Sequence, residues 1–351
     1  MDPESAHHMI MNVGKNMNKQ GITRSLLSGF LRFESPRLRQ QIWNLTFPNP
    51  MGLAAGFDKN GKLPKLMAAI GFGFTEVGSI TAQPSSGNPK PRLFRLPEDR
   101  SLINRMGLNN DGAQPIYRRL KKQTLEIPLG INIAKTPSPA IYGDKAIEDY
   151  IISYREANKV ADYTTINISC PNTKDGKSFE EPEILKELLD ALELRIDARR
   201  VPTIIKLSPD MSNKQMEQVI DVCETFGIDG YAATNTSSKR SASTLHTSKN
   251  RLKNIGKGGL SGEAIRRRST EVVRQLRAML GPDKPIIGIG GVHSVESAIE
   301  KLEAGANLLQ CYTGLIYEGP GLAKTINKGI DKYLKSQQIE SLSHYCEQCG
   351  R

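Results

Sequence analysis

Amide, hydroxyl and ammonium side chains recur in this 351-residue sequence at the ends of short apolar runs. Lys59 follows MGLAAG (51–56), Ser79 nearly closes FTEVGSI (74–80), and Asn132 sits inside PLGINIA (128–134). Asn167 lies near the end of YTTINIS (163–169), which runs straight into Cys170-Pro171-Asn172. Lys206 belongs to TIIKLS (203–208), and Thr234-Asn235-Thr236 ends GYAATNT (230–236). One polar residue at a strand end is an ordinary cap. Six successive runs that end this way point to a single shared ligand rich in hydrogen-bond donors and acceptors. Cys170 adds a different chemistry, because a free thiol has a pKa of about 8.5 and its thiolate is accessible near neutral pH.

Glycines mark a second kind of site. PIIGIGG (285–291) and LLQCYTG (308–314) end in glycine, and GGLSG (258–262) lies just upstream. Without a Cβ, backbone N–H groups approach an anion closely, which suits the phosphate of a cofactor. Other anion and metal motifs fail on inspection. DGKS (175–178) has the end of a P-loop but Pro171 in place of its first glycine, and no GxGxxG opens a helix after a strand. Cys346 and Cys349 form one CxxC without a second pair, and the five histidines lack metal-ligand spacing, so no metal is expected.

These residues need a scaffold that brings many strand ends together. The eight apolar runs between residues 51 and 314 suit parallel strands, and helix-like stretches such as KAIEDYIISYREANKV and EAIRRRSTEVVRQLRAML separate most of them. This alternation predicts an α/β fold, a (β/α)8 TIM barrel over residues 44–334, with a doubly wound open sheet as the alternative. Two long connections, after the second and sixth runs, fall on the face where barrel enzymes carry their catalytic loops. Residues 1–43 form a separate extension of two short amphipathic helices. Asp2-Pro3 caps the first, with Ala6, Met9, Ile10, Val13 and Met17 at helical spacing, and the second presents Ile22, Leu26, Leu27, Phe30 and Leu31. Their lysines and arginines suit a membrane surface, and packing on the barrel is the other possibility. Residues 335–351 are expected to be a loose polar tail.

Composition narrows the class. Hydrophobic residues make up 38% and aromatics 6%, which fits a globular chain with a large core, and no run reaches the roughly 20 apolar residues of a membrane span. Five cysteines are too few and odd in number for a disulfide scaffold, which implies a reducing compartment. The net charge of +11 could serve nucleic acid, an anionic membrane or phosphate-bearing ligands, but the basic residues are not interleaved with aromatics as on nucleic-acid platforms.

In order along residues 49–314, NPMGLAAGFDKNG, EVGS, PRLFRLPED, NRMGLNN, GINI, INISCPNT, KLSPD, TNT, GGLSG, GIGG and CYTG resemble the FMN-containing dihydroorotate dehydrogenases. The opening MDPESAHHM is similar to the helical extension of class 2, the membrane-associated, quinone-dependent branch. The resemblance implies oxidation of dihydroorotate to orotate in pyrimidine biosynthesis, with hydride passing to FMN N5. It implies flavin contacts from Ala55, Gly56, Phe57, Asp58, Lys59, Ser79, Asn132, Asn167, Lys206 and Thr234, and phosphate contacts around Gly262, Gly291, Tyr312 and Thr313. Substrate would be held by Lys59, Asn104, Arg105, Met106, Gly107, Leu108, Asn167, Asn172, Asn235 and Thr236. His7 and Arg95 would line a quinone tunnel beneath the two helices, on the cytoplasmic side of the membrane in a bacterium, and no nucleic acid or obligate protein partner is implied. Cys170 takes the position of the catalytic base, where class 2 usually has serine and class 1 cysteine. That departure keeps open a class 1 habit with fumarate or NAD as acceptor. An FMN-dependent tRNA dihydrouridine synthase, which also uses cysteine, is the remoter alternative.

Overall fold

β-Branched and apolar runs too short for helices pair side by side, and in this chain the pairing closes on itself. The computed structural model describes residues 2–169, 179–194, 200–240 and 245–350. Its strands are β1 (Gln40–Ile42), β2 (Leu45–Phe47), β3 (Met51–Leu53), β4 (Phe74–Ile80), β5 (Leu93–Leu96), β6 (Ser101–Asn104) and β7 (Leu129–Ile133). They continue with β8 (Tyr163–Asn167), β9 (Thr203–Leu207), β10 (Gly230–Ala233), β11 (Gly259–Gly262), β12 (Ile286–Ile289) and β13 (Leu308–Cys311). The helices are α1 (Pro3–Lys19), α2 (Gly21–Leu31), α3 (Pro64–Ala69), α4 (Ala113–Leu120), α5 (Asp144–Ala157), α6 (Pro182–Ala191) and α7 (Asn213–Thr225). The rest are α8 (Lys249–Ile255), α9 (Arg266–Leu280), α10 (Val295–Glu303), α11 (Thr313–Glu318), α12 (Leu322–Ser336) and α13 (Leu342–Cys349).

Strands β3, β4, β7, β8, β9, β10, β12 and β13 form a closed parallel barrel, sealed where Met51 of β3 lies beside Leu309 of β13. All eight runs expected to be strands are its staves. Alternation along each strand sends one set of side chains out and one in. Val77, Ile131, Ile166 and Ile205 pack outward against the helices, while Phe74, Tyr163, Ile204, Ala232, Ile287 and Leu308 fill the lower interior. The hairpin β1–β2 plugs that end. Trp43 and Asn44 at its tip both take left-handed φ (55° and 60°), and the Trp43 indole donates to the Asp229 carbonyl at 2.8 Å. At the opposite end β5, β6 and β11 make a small antiparallel sheet from the two long connections, roofing the strand ends.

The extension packs on the barrel with a face other than its apolar spacing suggests. Asp2 caps α1 by accepting from the Ser5 N–H at 2.8 Å, as its sequence predicts. The residues α1 buries are Glu4, Gly14 and Asn18, whereas Met9, Ile10 and Val13 are more than half exposed. Helix α2 packs through Leu27 and Leu31 and leaves Ile22, Leu26 and Phe30 in solvent, 61–81% exposed. The C-terminal residues differ from the loose tail expected of them. Leu342, Tyr345 and Cys346 of α13 are buried, and the Tyr345 hydroxyl donates to Glu303 at 3.2 Å.

Candidate active site

A carboxylate stands at the centre of the barrel, one layer above the apolar plug. Glu76 of β4 is completely buried and accepts from Asn132 Nδ2 at 2.9 Å, Gln310 Nε2 at 2.9 Å, the Thr165 hydroxyl at 3.1 Å and the Tyr163 hydroxyl at 3.2 Å. From it a file of hydrogen bonds rises to the strand ends. Ser79 Oγ donates to Asn132 Oδ1 at 2.5 Å and accepts from Asn167 Nδ2 at 3.3 Å. Asn235 Nδ2 in turn donates to Asn167 Oδ1 at 3.2 Å and to Ser169, the residue before Cys170. Lys206 lies beside Asn167 in register; burial lowers its ammonium pKa, and the Glu76 charge opposes that shift.

Above this file opens a cavity lined by the ends of several barrel strands and by the roof. Among the predicted site residues, Ala55, Gly56, Lys59, Ser79, Asn104, Met106, Gly107, Leu108, Asn167 and Lys206 line it. So do Thr234, Asn235, Thr236, Gly262, Gly291, Tyr312 and Thr313. The glycines there are required by crowding. Gly291 (φ 75°) and Gly262 (φ 95°) take left-handed backbone, and an added Cβ would lie 2.3 Å from Arg266 Cβ and 2.6 Å from the Arg100 carbonyl, respectively.

Six of the predicted site residues among the described ones, His7 included, do not line the cavity. Asp58 is turned into the scaffold, where its carboxylate accepts from the N–H groups of Lys62 and Leu63 at 2.9 and 2.7 Å. Arg105 lies over the Phe94 ring at 4.6 Å and donates to the carbonyls of Ile255 and Lys257, so it braces the roof. Asn132 sits one layer below, between Glu76 and Ser79. Phe57 stands behind the wall, with its ring 5.6 Å from Tyr312 and 5.0 Å from His7 of α1, and Arg95 is half-buried on β5, on which α1 packs. Cys170 and Asn172 lie outside the described residues.

Charge at the cavity's side comes from a cluster that sequence reasoning missed. Arg92, buried in the long connection, donates Nη2 to Glu4 Oε1 at 2.8 Å and Nε to both Glu4 oxygens at 3.2 Å. It also holds the Ser86 and Asn88 carbonyls, tying α1 to the loop that leads into β5. Burial, then the nearby Arg92 charge, lowers the Lys59 ammonium to about 8, and burial with the Lys59 charge lowers His7 to about 4. Lys59 is therefore a cation at neutral pH that is ready to lose its proton just above it.

Residues 37–334 match the sequence profile of the dihydroorotate dehydrogenase family. The chain belongs to that family. Among its relatives, a dihydroorotate dehydrogenase (quinone) of Natronomonas pharaonis is 42% identical over 97% of this chain and 94% of its own length. Another of that name, from Cyanothece sp., is 41% identical over 97% of this chain and 94% of its own length. The crystal structure of ligand-free dihydroorotate dehydrogenase from Eimeria tenella superposes with a TM-score of 0.85 at 31% identity, over 98% of both chains. The Eimeria tenella enzyme in complex with ferulenol gives 0.84 over 98% of this chain and 95% of that one. Membership makes this protein an oxidoreductase with a flavin.

The cavity fits such a group on its own chemistry. Gln310 lines the floor and carries a buried Oε1 that has no hydrogen-bond partner, while glycine backbone at the other end suits a phosphate. Glu76 and Gln310 were legible as anomalies, a Glu inside FTEVGSI and a Gln inside LLQC, because a polar residue in a buried parallel strand demands a partner. Nothing in the spacing of Glu4 and Arg92 announces their pairing.

Proposed function

We propose that this protein is a class 2 dihydroorotate dehydrogenase, oxidising dihydroorotate to orotate for pyrimidine biosynthesis with FMN as its flavin and a quinone as acceptor. The reading rests on one observation: Lys59, Asn104, Asn167, Asn235 and Thr236 face the same cavity as the glycine-rich cradle. The substrate carries a carboxylate, ring carbonyls and ring N–H groups. The Lys59 ammonium neutralises the carboxylate, and the asparagine amides supply both donors and acceptors for the ring. FMN, when bound, supplies the hydride acceptor. Cys170 acts as the base, taking the proton from the ring carbon next to a carbonyl, while Asn235 steadies Ser169 immediately before it. Lys206 and Gln310 would contact the flavin ring system, and backbone around Gly262, Gly291, Tyr312 and Thr313 would hold the phosphate.

The extension supports the quinone and membrane parts of the reading. Its exposed residues Met9, Ile10, Val13, Ile22, Leu26 and Phe30 form an apolar surface on two helices that also carry lysine and arginine, the composition of a helix pair lying in a bilayer interface. Among the described residues no helix is long and apolar enough to cross a membrane. A quinone entering under these helices meets His7, whose ring touches Phe57, which in turn touches Tyr312 of the cavity wall. The test is optical. Purified protein is expected to be yellow, to bleach with dihydroorotate in the absence of oxygen, and to recover its colour with a ubiquinone analogue. A flavin that dihydroorotate leaves oxidised refutes the activity; recovery with fumarate or NAD in place of quinone refutes class 2.

A further inference from the structure

Hydrogen bonds carry direction, and the file that starts at Glu76 runs one way only. An ionised carboxylate accepts and never donates. Four donors converge on Glu76: two amide N–H groups and two hydroxyls. Asn132 must therefore turn its NH2 toward Glu76, which leaves Oδ1 pointing up. Ser79 has to donate to that oxygen, so its lone pairs face Asn167 and the Asn167 NH2 must point down to them. The Asn167 carbonyl then faces Asn235, which answers with its own NH2. An amide carries no intrinsic preference between its two ends, so the orientation of Asn132 below the cavity, and through Ser79 that of Asn167 at it, is inherited from the Glu76 charge, while Asn235 is fixed as well by the Ser169 carbonyl and the Thr236 N–H.

We infer that Glu76 is a positioning residue for the reaction: through the file Glu76–Asn132–Ser79–Asn167 it sets which end of the Asn167 amide donates and which accepts, matching the Asn235 amide that the Ser169 carbonyl and the Thr236 N–H hold above it. The assignment rests on the proposed dihydroorotate chemistry for its functional meaning and on geometry alone for its existence. Glu76 touches neither the cavity nor its ligand, since it does not line the cavity and is completely buried. Its influence goes through Asn132 and Ser79 on one side. Gln310, the second amide fixed by Glu76, is turned by the same logic so that its buried Oε1 is left without a partner. Without this device the Asn132 and Asn167 amides could flip, whereas Asn235 is also held by the Ser169 carbonyl and the Thr236 N–H, and a flipped Asn167 presents an acceptor where the substrate ring needs a donor. A misplaced polar end in a buried site is more damaging than a missing one, because it leaves two groups unpaired.

Glu76→Gln tests the inference, since glutamine keeps the shape and offers an N–H of its own to the file. In the holoprotein we expect the rate of flavin bleaching by dihydroorotate to fall about tenfold or more, in line with the loss of other supporting hydrogen-bond partners. Reoxidation of the reduced flavin by quinone should stay within about twofold, and the FMN dissociation constant should rise. The decisive comparison repeats the substitution in a Ser79→Ala protein, where the file is already cut. There Glu76→Gln should add less than about threefold to either quantity, because residues coupled through one network are non-additive. Equal penalties in both backgrounds overturn the inference and leave Glu76 a structural acid. If Glu76→Gln does not fold, Asn132→Ala carries the same comparison, as it spares the other three donors of Glu76. Should the parent protein bind FMN yet resist bleaching, the activity reading fails, and the FMN dissociation constants in the two backgrounds still decide the file.

Discussion

Replacing Glu4 with Gln should loosen the extension from the barrel, and the structure supplies a magnitude. Glu4 is 2% exposed and Arg92 is similarly buried, with the guanidinium forked onto both carboxylate oxygens. Removing one charge of such a pair strands the other, at about 3–5 kcal/mol. With an unfolding entropy of about 2.1 cal/mol/K per residue, 351 residues give roughly 0.7 kcal/mol/K, so Tm should fall by about 4–7 °C. The pH dependence follows from the same pair. Burial works to raise the Glu4 carboxyl, but the hydrogen bonds and charge of Arg92 overcome it and hold it at about 2, below its ordinary 4.5. A depressed carboxyl contributes stability above its unfolded pKa and loses it as pH falls toward the folded value. Differential scanning fluorimetry of parent and Glu4→Gln proteins should show the full gap at pH above about 5, narrowing steadily below about 4.5. Glu4→Met combined with Arg92→Met should recover most of the loss, since apolar side chains of similar volume replace a buried pair at little cost. A gap under about 1 °C, or strictly additive single and double losses, would show that α1 is held by packing alone.

Three further outcomes follow from the site and its surroundings. Cys170→Ser should retain FMN and part of the activity with its pH optimum shifted upward, whereas Cys170→Ala turning over at the parental rate across about pH 6–9 refutes the base assignment. The KM for dihydroorotate should climb above about pH 8 as Lys59 loses its proton, and Lys59→Met should raise KM about 10-fold or more and flatten that climb, as measured by steady-state assays along a pH series. Lys301, completely buried against the Ser269 and Thr270 hydroxyls, is lowered by burial to about 7. Its unfolded form binds the extra proton, so Lys301→Met should raise Tm most at pH 7 and below, with the gain shrinking toward about pH 10; a lower Tm at pH 6 contradicts this.

Much of this architecture was legible because a buried parallel strand is a continuous apolar run, and all eight staves read as such. The polar strand ends were equally visible, since burial makes an asparagine or lysine there conspicuous. Spacing could not say which motif residues face the ligand and which brace it. Asp58 and Arg105 belong to the same motifs as Lys59 and Asn104, yet one caps a turn and the other stacks on Phe94. Features made by distant partners were also hidden. The β1–β2 hairpin depends on Trp43 in a left-handed conformation held by the packing of its indole on Tyr163 and its hydrogen bond to the Asp229 carbonyl, and the roof joins Ser101–Asn104 to Gly259–Gly262. The inner face of α1 misled for the same reason: Glu4 is buried because Arg92 waits in a loop far along the chain. The C-terminal helix reads as polar because only Leu342, Tyr345 and Cys346 are needed to dock it.

The barrel closes where β13, its last strand, pairs with β3, its first. That seam has a consequence for how the protein is made. Ala55 and Gly56 follow β3, while Tyr312 and Thr313 follow β13, and all four share one wall of the flavin cavity. At about 5–20 residues per second, a ribosome finishes the second half of that wall roughly 10–50 s after the first. A nascent chain therefore holds its glycine turn long before it has a pocket, and the flavin can be captured only by a polypeptide that has grown past residue 313. Cofactor loading becomes a report on barrel closure: a chain that stops short of residue 312 stays colourless however well its first strands fold.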